Sequence, residues 1–259
     1  MHRLASFSFP KMDVPVTVPT HAGVHSGNFF LATLPDEAYA DIAARLVPHR
    51  LKRDEQIHGH GEAITFVNFP VNALVSIVST LSNGGMCEVA TVGREGFAEV
   101  DVALGSRISS RTAFCQTPGT VLRLPVDDFE RLWAHPAVAT LVRRVVRARL
   151  IVTEQLATCN VRHTVIERCA KWLLLTRFHL GLDVLSMTHD FLALMLGVRR
   201  AGVTTAAAAL QAAGAIEYRR GSIRLMSLER LAELACECPA VCIGAYERSL
   251  SGDDSVSGT

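Results

Sequence analysis

No stretch of eighteen uninterrupted apolar residues occurs in this chain, so no segment is expected to span a bilayer as a helix. Its first residues carry one arginine and no continuous apolar run, so a secretory signal is not expected either. No cysteine precedes Cys87, and the seven present are odd in number and scattered. That pattern fits reduced thiols in a cytoplasm rather than a disulfide framework. Lysine is nearly missing: Lys11, Lys52 and Lys171 are the only three among 26 basic residues, a bias that a GC-rich genome suffices to explain. Also lacking are a Gly-x-Ser-x-Gly nucleophile elbow, a Walker-type phosphate loop and a His-Glu-x-x-His zinc-hydrolase motif. An enzyme is therefore not expected.

What remains is ample for two modest domains: 259 residues, 49% of them hydrophobic. A net charge of +1 argues at first sight against a polyanionic partner. Its distribution reverses that. Between Pro136 and Leu225 there are thirteen Lys/Arg against five Asp/Glu, a local charge of +8, so the rest of the chain carries −7. Basicity confined to one segment is the footprint of a DNA-binding domain on an otherwise acidic protein.

Within that segment, Leu185 to Leu225 organises the chain. Thr188 can cap a short helix with Phe191, Leu192 and Met195 on its inward side. Gly197 ends it where a positive φ is cheapest. A second helix begins near Arg200, buries Val203, Ala207 and Leu210, and stops at Gly214. Ile216–Arg219 and Ser222–Met226 then read as a hairpin around Gly221. Helix, tight turn, helix, hairpin is a winged helix-turn-helix. Arg199, Arg200, Ala201, Thr204 and Thr205 fall on the first turns of the second helix, away from its apolar face, where a recognition helix enters the major groove. With Thr188 and the wing residues Arg219 and Arg220, they make up the expected DNA-binding set; Arg224 adds a further wing charge. Solvated surface arginines would explain one or two of these, not their clustering at both contact points of one motif.

From Asn28 to about Met226 the chain resembles the cyclic-AMP receptor/fumarate-nitrate regulator (Crp/Fnr) superfamily of transcription factors. The run Leu196-Gly197-Val198-Arg199-Arg200-Ala201-Gly202-Val203 carries most of the resemblance. It implies an α+β fold: an N-terminal cyclic-nucleotide-binding-like antiparallel β-roll, a long dimerisation helix and a C-terminal winged helix-turn-helix. It also implies a homodimer on two-fold double-stranded DNA, with RNA polymerase as a partner and a small-molecule effector whose identity is open. An acidic residue common in the family's recognition helix is Ala201 here, and a later base-contacting arginine is Thr205. The operator is thus expected to differ from that of the best-known members.

Taken in order, residues 1–27 hold three prolines and little periodicity and read as a flexible arm. Residues 28–135 form the expected roll domain. It opens with a short amphipathic helix between Asn28 and Val47. Short strands follow at Phe66–Phe69, Ala73–Ser79, Glu88–Val92 and Val121–Leu124, separated by glycine corners. A helix is expected over Asp127–Trp133 and a long one over 136–160. On the latter, Val138, Val142, Val145, Arg149, Val152 and Leu156 fall at alternating steps of four and three, a heptad seam suited to dimerisation. Residues 161–228 form the winged helix-turn-helix domain, with a scaffold helix over Arg162–Leu180, and 229–259 a C-terminal helix and tail.

Two constellations could carry chemistry. Cyclic-nucleotide-binding members present Gly-Glu to the ribose and Arg-Ser or Arg-Thr to the cyclic phosphate. This chain has Ala98-Glu99 and, in the ungapped match, Ser109-Ser110. A two-residue insertion would supply Arg111-Thr112, on the same strand face as Ser109, leaving Glu99, Arg111 and Thr112 as the candidate ligand residues. Serine cannot neutralise a phosphate. The expectation is therefore a roll that is ligand-free or binds something other than a cyclic nucleotide. The second constellation is Cys236-x-Cys238-x3-Cys242. One Cys-x-Cys pair without a matching second pair falls short of a zinc signature. No metal or cofactor is expected, and Cys236, Cys238 and Cys242 are the thiols best placed to hold one. His58 and His60 flank a glycine and are explained by the turn.

Overall fold

The structure, a computed structural model, describes residues 27–82 and 84–252. The arm expected over 1–27, apart from Gly27, and the tail from 253 onward lie outside the described residues.

Asn28 bolts the first helix to the roll. Its wholly buried side-chain amide accepts from the Leu31 amide, capping α1 (Phe29–Thr33), and donates to the carbonyls of Pro70 and Gly96. The short amphipathic helix expected between Asn28 and Val47, with Pro35 near its first turn, is α2 (Asp36–Ala43); it is separate from α1, and Val47 already begins a strand. The break has a covalent cause. Pro35 lacks an amide proton and drives Leu34 into extended backbone, with ψ 147°.

The strands β1 (Val47–Leu51), β2 (Gln56–His58), β3 (Phe66–Pro70), β4 (Leu74–Thr80) and β5 (Met86–Val92) follow. After a short helix α3 (Val100–Ala103) come β6 (Thr112–Thr117) and β7 (Gly119–Pro125). They pair antiparallel into two sheets, β1-β7-β3 and β2-β6-β4-β5. Phe30, Phe69, Phe97 and Phe129 fill one end of the roll, with neighbouring ring centroids 5.1–6.2 Å apart. Gly119 is needed between β6 and β7 because a Cβ there would lie 2.6 Å from the Asn72 carbonyl oxygen.

Helix α4 (Val126–Leu132) leads to α5 (Pro136–Arg162), 27 residues long with Pro136 in its first turn. The heptad seam on α5 corrects the sequence reading. Val138, Val142 and Val145 are buried against Phe97 and Phe129 of the roll, and Val152 and Leu156 pack on the C-terminal helix. Arg149 lies on the same inward face and acts electrostatically on buried Tyr246. A 3.5-residue period marks a buried stripe; here the chain covers that stripe itself.

The C-terminal half comprises α6 (Val165–Leu180), β8 (Val184–Ser186), α7 (His189–Leu196), α8 (Arg200–Ala212), β9 (Ile216–Arg219), β10 (Ser222–Leu225), α9 (Leu228–Glu233) and α10 (Cys238–Ser251). Thr164 and Glu167 form a reciprocal capping box at the start of α6, and Gly181 closes it in the left-handed region. Strands order as β8-β10-β9, so the wing has a third strand that its short sequence hides. Helix α10 extends past the expected C-terminal helix and lies along α5 and α6, with Cys242, Ala245 and Tyr246 packed on Val152 and Leu175. No single helix among the described residues is long and apolar enough to cross a membrane.

The two halves dock through polar contacts set in an apolar surface. Trp172 Nε1 donates to Glu88 at 2.9 Å and Ser76 Oγ donates to the other oxygen at 2.7 Å. His179 Nδ1 meets Glu95 at 2.8 Å, with both side chains buried. Leu74 of the roll belongs to the same core as α6, α7 and α8.

Candidate DNA-binding face and roll centre

Helices α7 and α8 meet at 108°, within the range of helix-turn-helix pairs. The turn is built locally. Thr188 Oγ1 accepts from the Phe191 amide, Gly197 adopts φ 63°, and Val198 returns its amide to the Ala193 carbonyl. Buried Arg168 of α6 donates to the Leu196 carbonyl, meeting one acceptor that a helix end leaves open. Behind the pair, Val203, Ala206, Ala207 and Leu210 of α8 are buried against Leu192, Met195 and Leu196 of α7. Alanine at 206 and 207 keeps the helices close.

That packing fixes which side of α8 faces outward. Arg199 is its N-cap residue, and Arg199, Arg200, Ala201, Thr204 and Thr205 are exposed on the first two turns. Thr188 is also exposed, at the start of α7. Arg219 and Arg220 are exposed at the tip of the β9–β10 hairpin, where Gly221 takes φ 77°, and Arg224 is exposed on β10. Several charges are already paired. Arg200 meets Asp190 at 3.2 Å, and Arg219 meets Glu217 at 2.8 Å; both pairs are open to solvent, so exchange for another anion costs little. The sequence reading missed His189. It stacks on Tyr218 of the wing at 4.1 Å and faces Thr204 Oγ1 at 3.2 Å, tying α7, α8 and the wing together. Burial, with the nearby Arg200 charge, pushes its pKa below the usual histidine value, which favours the neutral ring.

The family model of the Crp-like helix-turn-helix domain matches residues 167–234, from α6 through the wing to the end of α9. Residues 167–234 thus form a Crp-like helix-turn-helix domain. The overall fold agrees. FixK2 from Bradyrhizobium japonicum superposes with a TM-score of 0.65 at 20% identity, covering 74% of this chain and 98% of that one. TTHB099, a CRP-family transcriptional regulator of Thermus thermophilus, gives 0.60 at 21%, covering 72% and 96%. CLP of Xanthomonas campestris, a c-di-GMP-responsive global regulator, gives 0.60 at 15%, covering 74% and 100%. No curated protein matches the sequence.

The roll centre is polar and largely self-satisfied. Glu99 is buried, and its two oxygens accept from the Asn68 amide and from Asn68 Nδ2, both at 2.6 Å. His58 Nε2 lies 3.6 Å away, and Arg123 Nε donates to Asn68 Oδ1 at 3.0 Å. Burial opposes charging of His58, but Glu99 outweighs it and holds the pKa above the usual value. The strand face expected for Ser109 and Arg111 does not form, because β6 begins only at Thr112. Arg107 turns out to Asp127 and Glu130. Arg111 is exposed and donates to the Ser110 carbonyl at 2.7 Å, while Thr112 Oγ1 accepts from the His60 amide.

The thiols regroup as well. Cys242 is buried among Leu175, Ala245 and Tyr246, away from the pair it follows in sequence. Cys236 and Cys238 instead gather with Cys159 of α5. That partner was not legible because 77 residues separate Cys159 from Cys236.

Proposed function

We propose that the chain binds duplex DNA sequence-specifically as a homodimer on a two-fold operator. In this reading Arg199, Arg200, Ala201, Thr204 and Thr205 enter the major groove, and Arg219 and Arg220 hold phosphates beside it, with Thr188 at the backbone edge. The observation that carries it is the common exposure of the α8 start and the wing tip on either side of one packed motif. Arginine in the first turn of α8 suits bidentate pairing with guanine O6 and N7. Ala201 and the Thr205 methyl offer contacts to thymine methyls, a preference distinct from that of an acid and an arginine.

The dimer seam in this reading is the outer face of α5, opposite the buried stripe. Arg143, Arg147, Leu150, Glu154, Ala157 and Val161 fall on it at heptad steps, and Leu150 and Val161 remain 58% and 82% exposed. Such a pairing would set two α8 helices for half-sites about one helical turn apart. The same reading places the protein in the cytoplasm with RNA polymerase as its downstream partner.

The roll acts here without a cyclic nucleotide, since both oxygens of Glu99 are engaged by Asn68 and no arginine joins it on β6. Selection of duplexes from a random pool, with and without cell extract, tests the proposal. It predicts enrichment of a palindromic motif by the purified protein alone. Enrichment only with extract would assign the roll an obligatory effector, and no motif in either arm would refute sequence-specific binding.

A further inference from the structure

DNA binding leaves one cluster of reactive side chains without a task. Cys159 and His163 stand four residues apart at the end of α5, His163 being its C-cap residue, so both project from one side of the helix. Cys236 and Cys238 approach from the turn between α9 and α10, with Cys238 the first residue of α10. Cys159 Sγ lies 3.7 Å from Cys236 Sγ, and Cys238 Sγ lies 3.6 Å from His163 Nδ1. All four donor atoms are within 4.8 Å of one another. Cys159 and Cys238 are wholly buried and Cys236 nearly so.

We propose that Cys159, His163, Cys236 and Cys238 form a closed, tetrahedral site for a thiolate-seeking divalent cation, zinc by class. Bond lengths of about 2.3 Å to sulfur and about 2.0 Å to nitrogen give tetrahedral edges of about 3.8 Å between thiolates and about 3.5 Å between thiolate and imidazole. The two close separations match those edges, and the remaining pairs, all within 4.8 Å, need to close by no more than about 1.3 Å. A free thiol pair has no need of this spacing, and a disulfide would require about 2.05 Å. A cubane iron–sulfur cluster spreads its protein donors over separate irons, too far apart for four atoms gathered this tightly.

The surroundings suit the ion. His163 Nε2 faces Glu237 Oε2 at 3.4 Å, which holds the proton on Nε2 and turns the Nδ1 lone pair toward the sulfurs, the usual carboxylate–histidine–metal arrangement. Gln155 Nε2 donates to Cys238 Sγ at 3.1 Å. Three thiolates and a divalent ion leave one negative charge, and the buried Lys171 ammonium acts on Cys159 with the opposite sign. Binding releases the three thiol protons to solvent. With four protein donors no position is open to a substrate, so the ion is structural: it pins the start of α10 to the α5–α6 joint, where Thr164 caps the next helix.

Elemental analysis of the full-length protein, purified under reducing conditions with zinc supplied, should give one zinc per chain. Cys159→Ser and Cys238→Ser should each bind less than about a tenth of that, while Cys87→Ser and Cys242→Ala keep it. Because a buried substitution can prevent folding, the stripped wild type is also titrated with cobalt(II). Tetrahedral d–d absorption with sulfur charge-transfer bands, saturating at one equivalent, is expected. Glu237→Gln should saturate at the same stoichiometry with about tenfold weaker affinity. No metal in either assay overturns the site. So does full zinc retention by Cys238→Ser, loss from Cys242→Ala equal to that from Cys238→Ser, or a mass two units low that marks a Cys159–Cys236 disulfide.

Discussion

Single side chains decide what the roll can hold. Glu99 survives from the pattern that would bind a ribose, yet two short bonds from Asn68 occupy it and His58 sits beside it. A ligand hydroxyl would have to displace one of those bonds, which are charge-assisted and buried, at a cost of roughly 1.5–3 kcal/mol. The expected phosphate partner Arg111 lies outside, on its own backbone. Calorimetry with cyclic AMP and cyclic GMP should therefore show no binding at micromolar ligand. Binding that vanishes in Arg111→Ala would mean the guanidinium swings inward and the account of the roll is wrong. Glu88 presents a different residue-scale effect. Burial pushes its carboxyl up to about 7, although Ser76 and Trp172 donate to it and His179 and Lys171 lie near. The folded state thus holds a proton that the unfolded chain releases near 4.5, so this group's stabilisation is complete below that pH and is lost as pH rises through 7. The loss is on the order of 3 kcal/mol, since each pKa unit corresponds to about 1.4 kcal/mol. Glu88→Gln should flatten the decline in urea midpoint between about pH 5 and 8 relative to wild type. An unchanged decline would show that Glu88 is not the titrating group.

At the scale of elements, α5 carries two stripes with different tasks. The inward one, from Val138 to Leu156, is closed by the roll and α10; the outward one ends in Leu150 and Val161. Aspartate at both Leu150 and Val161 should yield monomers in light scattering and abolish operator binding while leaving the far-ultraviolet circular dichroism intact. Persisting dimers would move the interface elsewhere. This helix also shows where sequence reading reaches its limit. The heptad period of Val138, Val142, Val145, Arg149, Val152 and Leu156 is plain, and it correctly marks a buried face. Period alone does not say whether the covering surface belongs to the same chain. The strands at 66–69, 73–79, 88–92 and 121–124 were legible through alternation and glycine corners. By contrast β1, with Pro48, His49 and Arg50, and the three-residue β2 and β8 carry too little apolar pattern to stand out. The reader helix was legible to the residue, because Thr188, Gly197 and Gly214 punctuate it by local backbone chemistry. The Cys159–His163–Cys236–Cys238 cluster was not, because tertiary packing alone joins α5 to α10.

At the scale of the whole molecule, the charge asymmetry takes on a shape. The roll carries thirteen Asp/Glu against nine Lys/Arg, while the arginines of α8 and the wing stand together beyond α6, which the Glu88–Trp172 and Glu95–His179 contacts join to the roll. That division lets the C-terminal half meet a polyanion while the roll stays clear of it. If α8 reads bases and the wing binds phosphates, one paired titration separates the two roles. Wild type, Arg200→Ala and Arg220→Ala are titrated against the selected operator and its single-base variants at several salt concentrations. Arg200→Ala should lose about 1–3 kcal/mol on the selected operator and discriminate no longer at one base position. Arg220→Ala should weaken every sequence alike and reduce the salt slope by about one unit. Identical profiles for the two variants across the operator set would contradict the assignment of reading to α8 and of phosphate binding to the wing.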